Sequence, residues 1–131
     1  VKKFNFDQTY REIEIAGDVY KIDFADDQIK KYQEAFSAFH SELEQLSKLK
    51  AEEMTHQENL DALDKQKTAM TSILDAIFGA GSFDKLYEKA GRSLLNIAKL
   101  LQFVGEEIKE AAEIVNKDKR SKYLRTKKRA Q

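Results

Sequence analysis

The chain offers few residues from which to build a reactive centre. It has two histidines, His40 and His56, and no cysteine. Disulfides, thiol nucleophiles and thiolate zinc sites are therefore excluded. The two imidazoles are separated by 16 positions on polar sequence, with no His-Glu-x-x-His arrangement around either, so no metal centre is expected. Carboxylates are plentiful, but pairs such as Glu52-Glu53 and Glu106-Glu107 are adjacent. On a helix neighbours point in different directions, so these pairs read as solvated charge. Gly79-Ala80-Gly81-Ser82 invites a phosphate-loop reading, yet no Lys-Ser/Thr pair follows and the flanks read as helix. A Walker loop needs Gly-x-x-x-x-Gly-Lys-Ser/Thr after a strand, so helix–turn–helix punctuation is the better reading. Nucleophile elbow, dinucleotide fingerprint and EF-hand loop are also missing. The sequence predicts no catalytic, cofactor-binding or metal-ligating residues and a protein that is not an enzyme.

With 131 residues, 41% hydrophobic and 35% charged, the chain suits one folded domain with a heavily charged surface. Its apolar runs are a few residues long, far from the roughly 20 needed to cross a bilayer. No membrane span or signal-peptide core appears, and an intracellular protein is expected.

Charge is distributed unevenly. Residues 116–131 carry eight Lys and Arg against the single Asp118, a net +7, so the preceding 115 residues carry −7. A basic tail can release counterions from nucleic-acid phosphates. It can equally complement the negative end of a helix or pair with the acidic body. Tyr123 is the single aromatic that interrupts the run, which is no stacking platform for single strands; nucleic acid is not the expected partner.

Three segments follow. Residues 1–25 contain an arm with Phe4 and Phe6 at period two, then two alternating segments, 10–15 and 19–24, around Ala16-Gly17-Asp18. This predicts a β-hairpin, with Ile13 and Ile15 on one face of its first strand and Tyr20, Ile22 and Phe24 on one face of its second. A lone hairpin is marginal in water, so it must cap the helices or join a neighbouring sheet. Residues 26–116 form a helical body, opened by Asp26 and Asp27 as candidate caps and broken at 79–82, where Gly79 is expected to end one helix in the left-handed conformation and Ser82 to cap the next. Residues 117–131 are the basic tail.

Within the body, Ile29, Tyr32, Phe36, Phe39, Leu43 and Leu46 recur at alternating steps of three and four, a heptad seam. A second seam, His56, Leu60, Leu63, Lys67, Met70, Leu74 and Ile77, lies in a shifted phase. The step from Leu46 to Leu49 has the spacing of a stammer, so a kink, an overwound stretch or a tight turn is expected there, with two helices favoured over one straight rod between 26 and 78. The last helix carries a stripe of Leu94, Ile97, Ala98, Leu101, Val104, Ile108, Ala111, Ala112 and Val115, widened by Leu95, Leu100, Phe103 and Ile114. That width exceeds what one helical partner needs. The fold class is mainly α, a helical bundle or helical hairpin with a small N-terminal β-hairpin.

The order of these pieces carries a resemblance. An Ile-x-Ile-Ala-Gly-x-x-Tyr-x-Ile-Asp hairpin (13–23), a Tyr- and Phe-bearing helix, Ile77-Phe78-Gly79-x-Gly81-Ser82 followed by Leu86-Tyr87, and Lys122-Tyr123-x-Arg125 in a basic tail together resemble the small helical tail assembly chaperones of long-tailed phages and prophages of Gram-positive bacteria. The resemblance spans nearly the whole chain and includes no catalytic motif. It implies a non-enzymatic assembly factor in the host bacterial cytoplasm, outside the mature virion. Its implied partners are the tape-measure protein and the tail-tube protein, and it needs no cofactor.

An exposed tape measure presents apolar helical stripes that a matching seam could cover. The candidate client-binding residues are Phe36, Phe39 and Leu43, or Leu100, Phe103 and Val104, both sets also readable as core. For a homo-oligomer the candidates are Ile13, Ile15, Val19 and Tyr20, on a hairpin whose strand edges could extend a sheet. Two other readings remain: a structural virion or coiled-coil scaffold protein, suggested by the seams, and a nucleic-acid-binding regulator using the basic tail.

Overall fold

Ala16 and Gly17 both adopt positive φ, 51° and 88°, as a two-residue turn matched to strand twist requires. Gly17 does so without steric cost, whereas Ala16 has a Cβ to accommodate. The turn closes β1 (Tyr10–Ile15) onto β2 (Asp18–Asp23), antiparallel, with Ile15 opposite Asp18, Ile13 opposite Tyr20 and Arg11 opposite Ile22. The expected hairpin is present, but Asp18 pairs in the strand instead of sitting in the turn. Residues facing one another across the ladder share a side of the sheet, so Ile13, Ile15, Tyr20 and Ile22 form one apolar face. Ile13 and Ile22 are buried.

The computed structural model describes residues 1–48 and 51–130, excluding the side chains at 47, 51 and beyond 114. The protein is mainly helical. After the hairpin come α1 (Asp26–Ser47), a 3-10 turn (Ala51–Glu53), α2 (His56–Phe78), α3 (Ser82–Lys89) and α4 (Leu94–Ala130). The two expected helices between 26 and 78 are therefore α1 and α2. Leu49, at the proposed stammer, lies outside the described residues, as do the side chains of Val115 and the basic tail.

The helix ends differ in detail from the sequence reading. Ala25 occupies the N-cap of α1 without a side-chain cap, and Asp26 and Asp27 fall inside the first turn. They oppose the helix dipole without capping. Asp23 Oδ1 instead accepts from the Ala25 N–H at 2.9 Å. At α2 the hydroxyl of Thr55 accepts from the Glu58 N–H at 3.1 Å, within a Thr-x-x-Glu sequence that matches a capping box.

Gly79 ends α2 with φ 107° and ψ 159°, a backbone region open essentially to glycine alone. Gly81 takes the left-handed conformation that was expected at Gly79. Ser82 lies inside α3, so the capping acceptor comes from the preceding helix: Asp75 Oδ1 receives the Phe83 N–H at 2.9 Å. Arg92 also has positive φ, 55°, and its N–H reaches Tyr87 O at 2.9 Å. This closes the end of α3 before Ser93 Oγ accepts from the Asn96 N–H and caps α4.

The core lies where α1, α2, α3 and α4 meet the inner face of the hairpin, around Ile22, Tyr32, Ile73, Leu74, Phe83 and Val104. Only the second half of the α2 seam follows expectation. Met70, Leu74 and Ile77 are buried, together with Ile73, whereas Leu60 and Leu63 are 41% and 51% exposed. Contacts of the hairpin and α3 with α2 include Lys67 Nζ over the Tyr87 ring, Asp75 with Phe83, and Tyr20 edge-on against Phe78, all from Lys67 onward. Leu60 and Leu63 precede these contacts.

Candidate functional site

Along α1, Phe36, Phe39 and Leu43 follow one another at steps of three and four, so they share a face. On α4, Leu101, Gly105, Ile108 and Ala112 do the same. The two faces border an open groove of about 690 Å³, with Met70 of α2 also in its lining. Phe39 and Met70 would stand about 46 Å apart on one straight helix; folding α2 back against α1 brings both to the same groove.

Gly105 sets the closeness of the groove wall. A Cβ at this position would stand 3.3 Å from Phe36 Cε1, tighter than ordinary van der Waals contact. Glycine inside a helix costs about 1 kcal/mol relative to alanine, so its place here exchanges helix propensity for approach of the Phe36 ring. Above the apolar lining, the rim carries Gln33, Gln102, Glu106, Lys109 and Glu113. His40 stands on the α1 side, its ring 5.9 Å from that of Phe39 and 6.3 Å from that of Phe36. Apolar lining with a polar rim suits a partner side chain of mixed character, such as one face of an amphipathic helix.

The candidate residues separate in space. Phe36 and Leu43 are half-buried in the groove, and Phe39, 7% exposed, also lines it. Val104 is fully buried in the core and Leu100 packs partly buried against it, so neither lines the groove. Phe103 is 45% exposed elsewhere on α4. The α4 wall thus comprises Leu101, Gly105, Ile108 and Ala112, residues placed in the core stripe or passed over by the sequence reading. Isolated Gly105 within a helical pattern was the available signal, since such a glycine often marks close packing.

Of the candidate self-assembly residues, Ile13, Ile15 and Tyr20 lie on the hairpin face packed against the helices. Val19, opposite Glu14, points away and is 66% exposed. Ionic contacts hold the hairpin down: Arg11 pairs with Glu107 and lies 3.9 Å from Glu110, and Lys89 pairs with Asp18. Behind the site, Tyr32 is 2% exposed. Burial raises its pKa, with the nearby negative charge of Asp23 and then Asp27 acting in the same direction, while a hydrogen bond donated by the Asp23 backbone N–H opposes them.

His56 is exposed at the start of α2. Among the described residues, no group of three or more His, Cys, Asp or Glu side chains could hold a metal ion, and no helix is long and apolar enough to cross a membrane.

Residues 12–131 match the family described as "Family of unknown function (DUF6673)", and the chain belongs to that family. No curated protein and no solved structure matches it.

Proposed function

We propose that this family member is a non-enzymatic tail assembly chaperone of a long-tailed phage or prophage, acting in the host bacterial cytoplasm. The groove between α1 and α4 receives an amphipathic helical stripe of the tape-measure protein, and the resulting complex promotes polymerisation of the tail tube. The observation that carries this reading is the open apolar groove lined by Phe36, Phe39, Leu43, Leu101 and Ile108. The order of hairpin, aromatic helix, glycine break and basic tail supports the choice of client.

The mechanism is cover and release. A long helical client with an uncovered apolar stripe tends to aggregate, and shielding that stripe from water is favourable in proportion to the apolar area removed. The rim contributes alignment more than affinity, because exposed ion pairs are worth at most about 1 kcal/mol.

Co-expression with the proposed client, a tape-measure protein, tests the reading. The expected result is a soluble complex recovered through a tag on either protein and lost with Phe36→Asp, while circular dichroism shows that the variant keeps its helices. A tape measure that is soluble by itself and forms no complex would overturn the proposal. So would stoichiometric presence of this chain in purified mature tails, the mark of a structural virion protein.

A further inference from the structure

The arm preceding β1 carries an aromatic pair that the fold leaves uncovered. Phe4 and Phe6 are 79% and 89% exposed, and their rings meet edge to face at 5.0 Å. Their spacing of two puts them on one side of an extended segment. Lys2 and Lys3 adjoin them. The groove between α1 and α4 offers the complement, an apolar lining with Glu106 and Glu113 beside Lys109 on its α4 rim.

We propose that the N-terminal arm of one copy docks Phe4 and Phe6 into the α1–α4 groove of a second copy. The two rings enter the apolar lining and the two lysines meet Glu106 and Glu113. Position on the fold favours a second copy over the arm's own groove. Arg11 anchors the start of the hairpin at Glu107, and Glu107 lies roughly 200° around α4 from Gly105 at 3.6 residues per turn. The arm therefore leaves on the side of α4 turned away from its own groove. Phe4 lies six residues before Tyr10, where β1 starts, an extended reach of about 20 Å, and reciprocal exchange between two copies closes a symmetric dimer. The inference concerns what covers the groove before any client arrives, so it stands or falls separately from the client assignment.

The test uses the full chain without client. Light scattering coupled to size exclusion is expected to give about twice the chain mass, returning to one chain mass with Phe4→Ala/Phe6→Ala. Since the chain has no cysteine, one preparation carrying Asn5→Cys and another carrying Gln102→Cys can be mixed and oxidised. A disulfide-linked pair of unlike chains is expected, lost when the arm also carries the two alanines. A wild type at one chain mass, a mass unchanged by the arm substitutions, or a link formed only within a single chain carrying both cysteines overturns the proposal. Tape-measure capture by the arm variant is scored separately, so failure of arm docking is distinguishable from failure of client binding.

Discussion

Phe36 and Gly105 meet across the groove so closely that a β-carbon at 105 would stand 3.3 Å from Phe36 Cε1. The pair ties α1 to α4 and shapes the proposed client surface, so substitutions at 105 separate stability from binding. Gly105→Ala gains about 1 kcal/mol of helix propensity and loses part of it to displacement of the ring, leaving the unfolding free energy within about 1 kcal/mol of wild type. Gly105→Leu fills the groove. Its expected signature is retained helicity by circular dichroism with client capture reduced at least tenfold; undiminished capture would remove the groove from the binding account.

Asp75 joins the end of α2 to the start of α3: its backbone carbonyl accepts the Gly79 N–H, and its side-chain Oδ1 accepts the Phe83 N–H and caps α3. Asp75→Ala is expected to cost about 1 kcal/mol in urea unfolding, the usual value of a helix cap. Asp75→Asn retains a carbonyl acceptor and should recover most of that loss. Equal losses for both variants would show that charge, not the hydrogen bond, is what matters.

Ile22 and Val19 report the two faces of the same strand. Ile22 has no exposed surface, whereas Val19 is 66% exposed. Ile22→Ala is expected to lower stability by about 2–5 kcal/mol through lost burial and a residual cavity. Val19→Ala should change it by less than about 0.5 kcal/mol. Chemical denaturation of both variants at fixed protein concentration checks the contrast.

Tyr32 gives the fold an alkaline limit. Burial and the charges of Asp23 and Asp27 raise its pKa in the folded chain above the unfolded value of about 10. The folded state therefore holds this proton more tightly. Its contribution to stability is fully present below about pH 10 and is lost as pH rises through the folded pKa. Tyr32→Phe removes the titration. The difference in unfolding free energy between wild type and variant should be constant at neutral pH and shift against wild type in the alkaline range; a difference that stays flat above pH 10 would refute the assignment.

Local pattern was enough to specify most of the elements, although it left open whether 26–78 is a kinked helix or the two helices, α1 and α2, that the fold contains. Alternation in 10–15 and 19–24 specified the hairpin, the three-and-four spacing from Ile29 to Leu46 specified α1, and Gly79 with Gly81 specified the break after α2, because strand period, helix period and positive φ are properties of neighbouring residues. The cap of α3 was not legible, since its acceptor, Asp75, precedes the Phe83 N–H by eight positions and meets it only after the chain turns. Leu60 and Leu63 fitted the seam yet remain exposed, because periodicity names the face of a helix without saying how far its neighbours extend.

The groove shows the same division. Phe36, Phe39 and Leu43 were recognisable as one apolar face from their spacing alone. Whether that face met Val104 or Gly105 depended on the rotation of α4 against α1, which is set by packing among residues far apart in the chain. Amino-acid order determined which surfaces had to leave water; only the tertiary arrangement decided which apolar side chains were sealed in the core and which stayed open, because close packing is settled jointly by all the helices that meet.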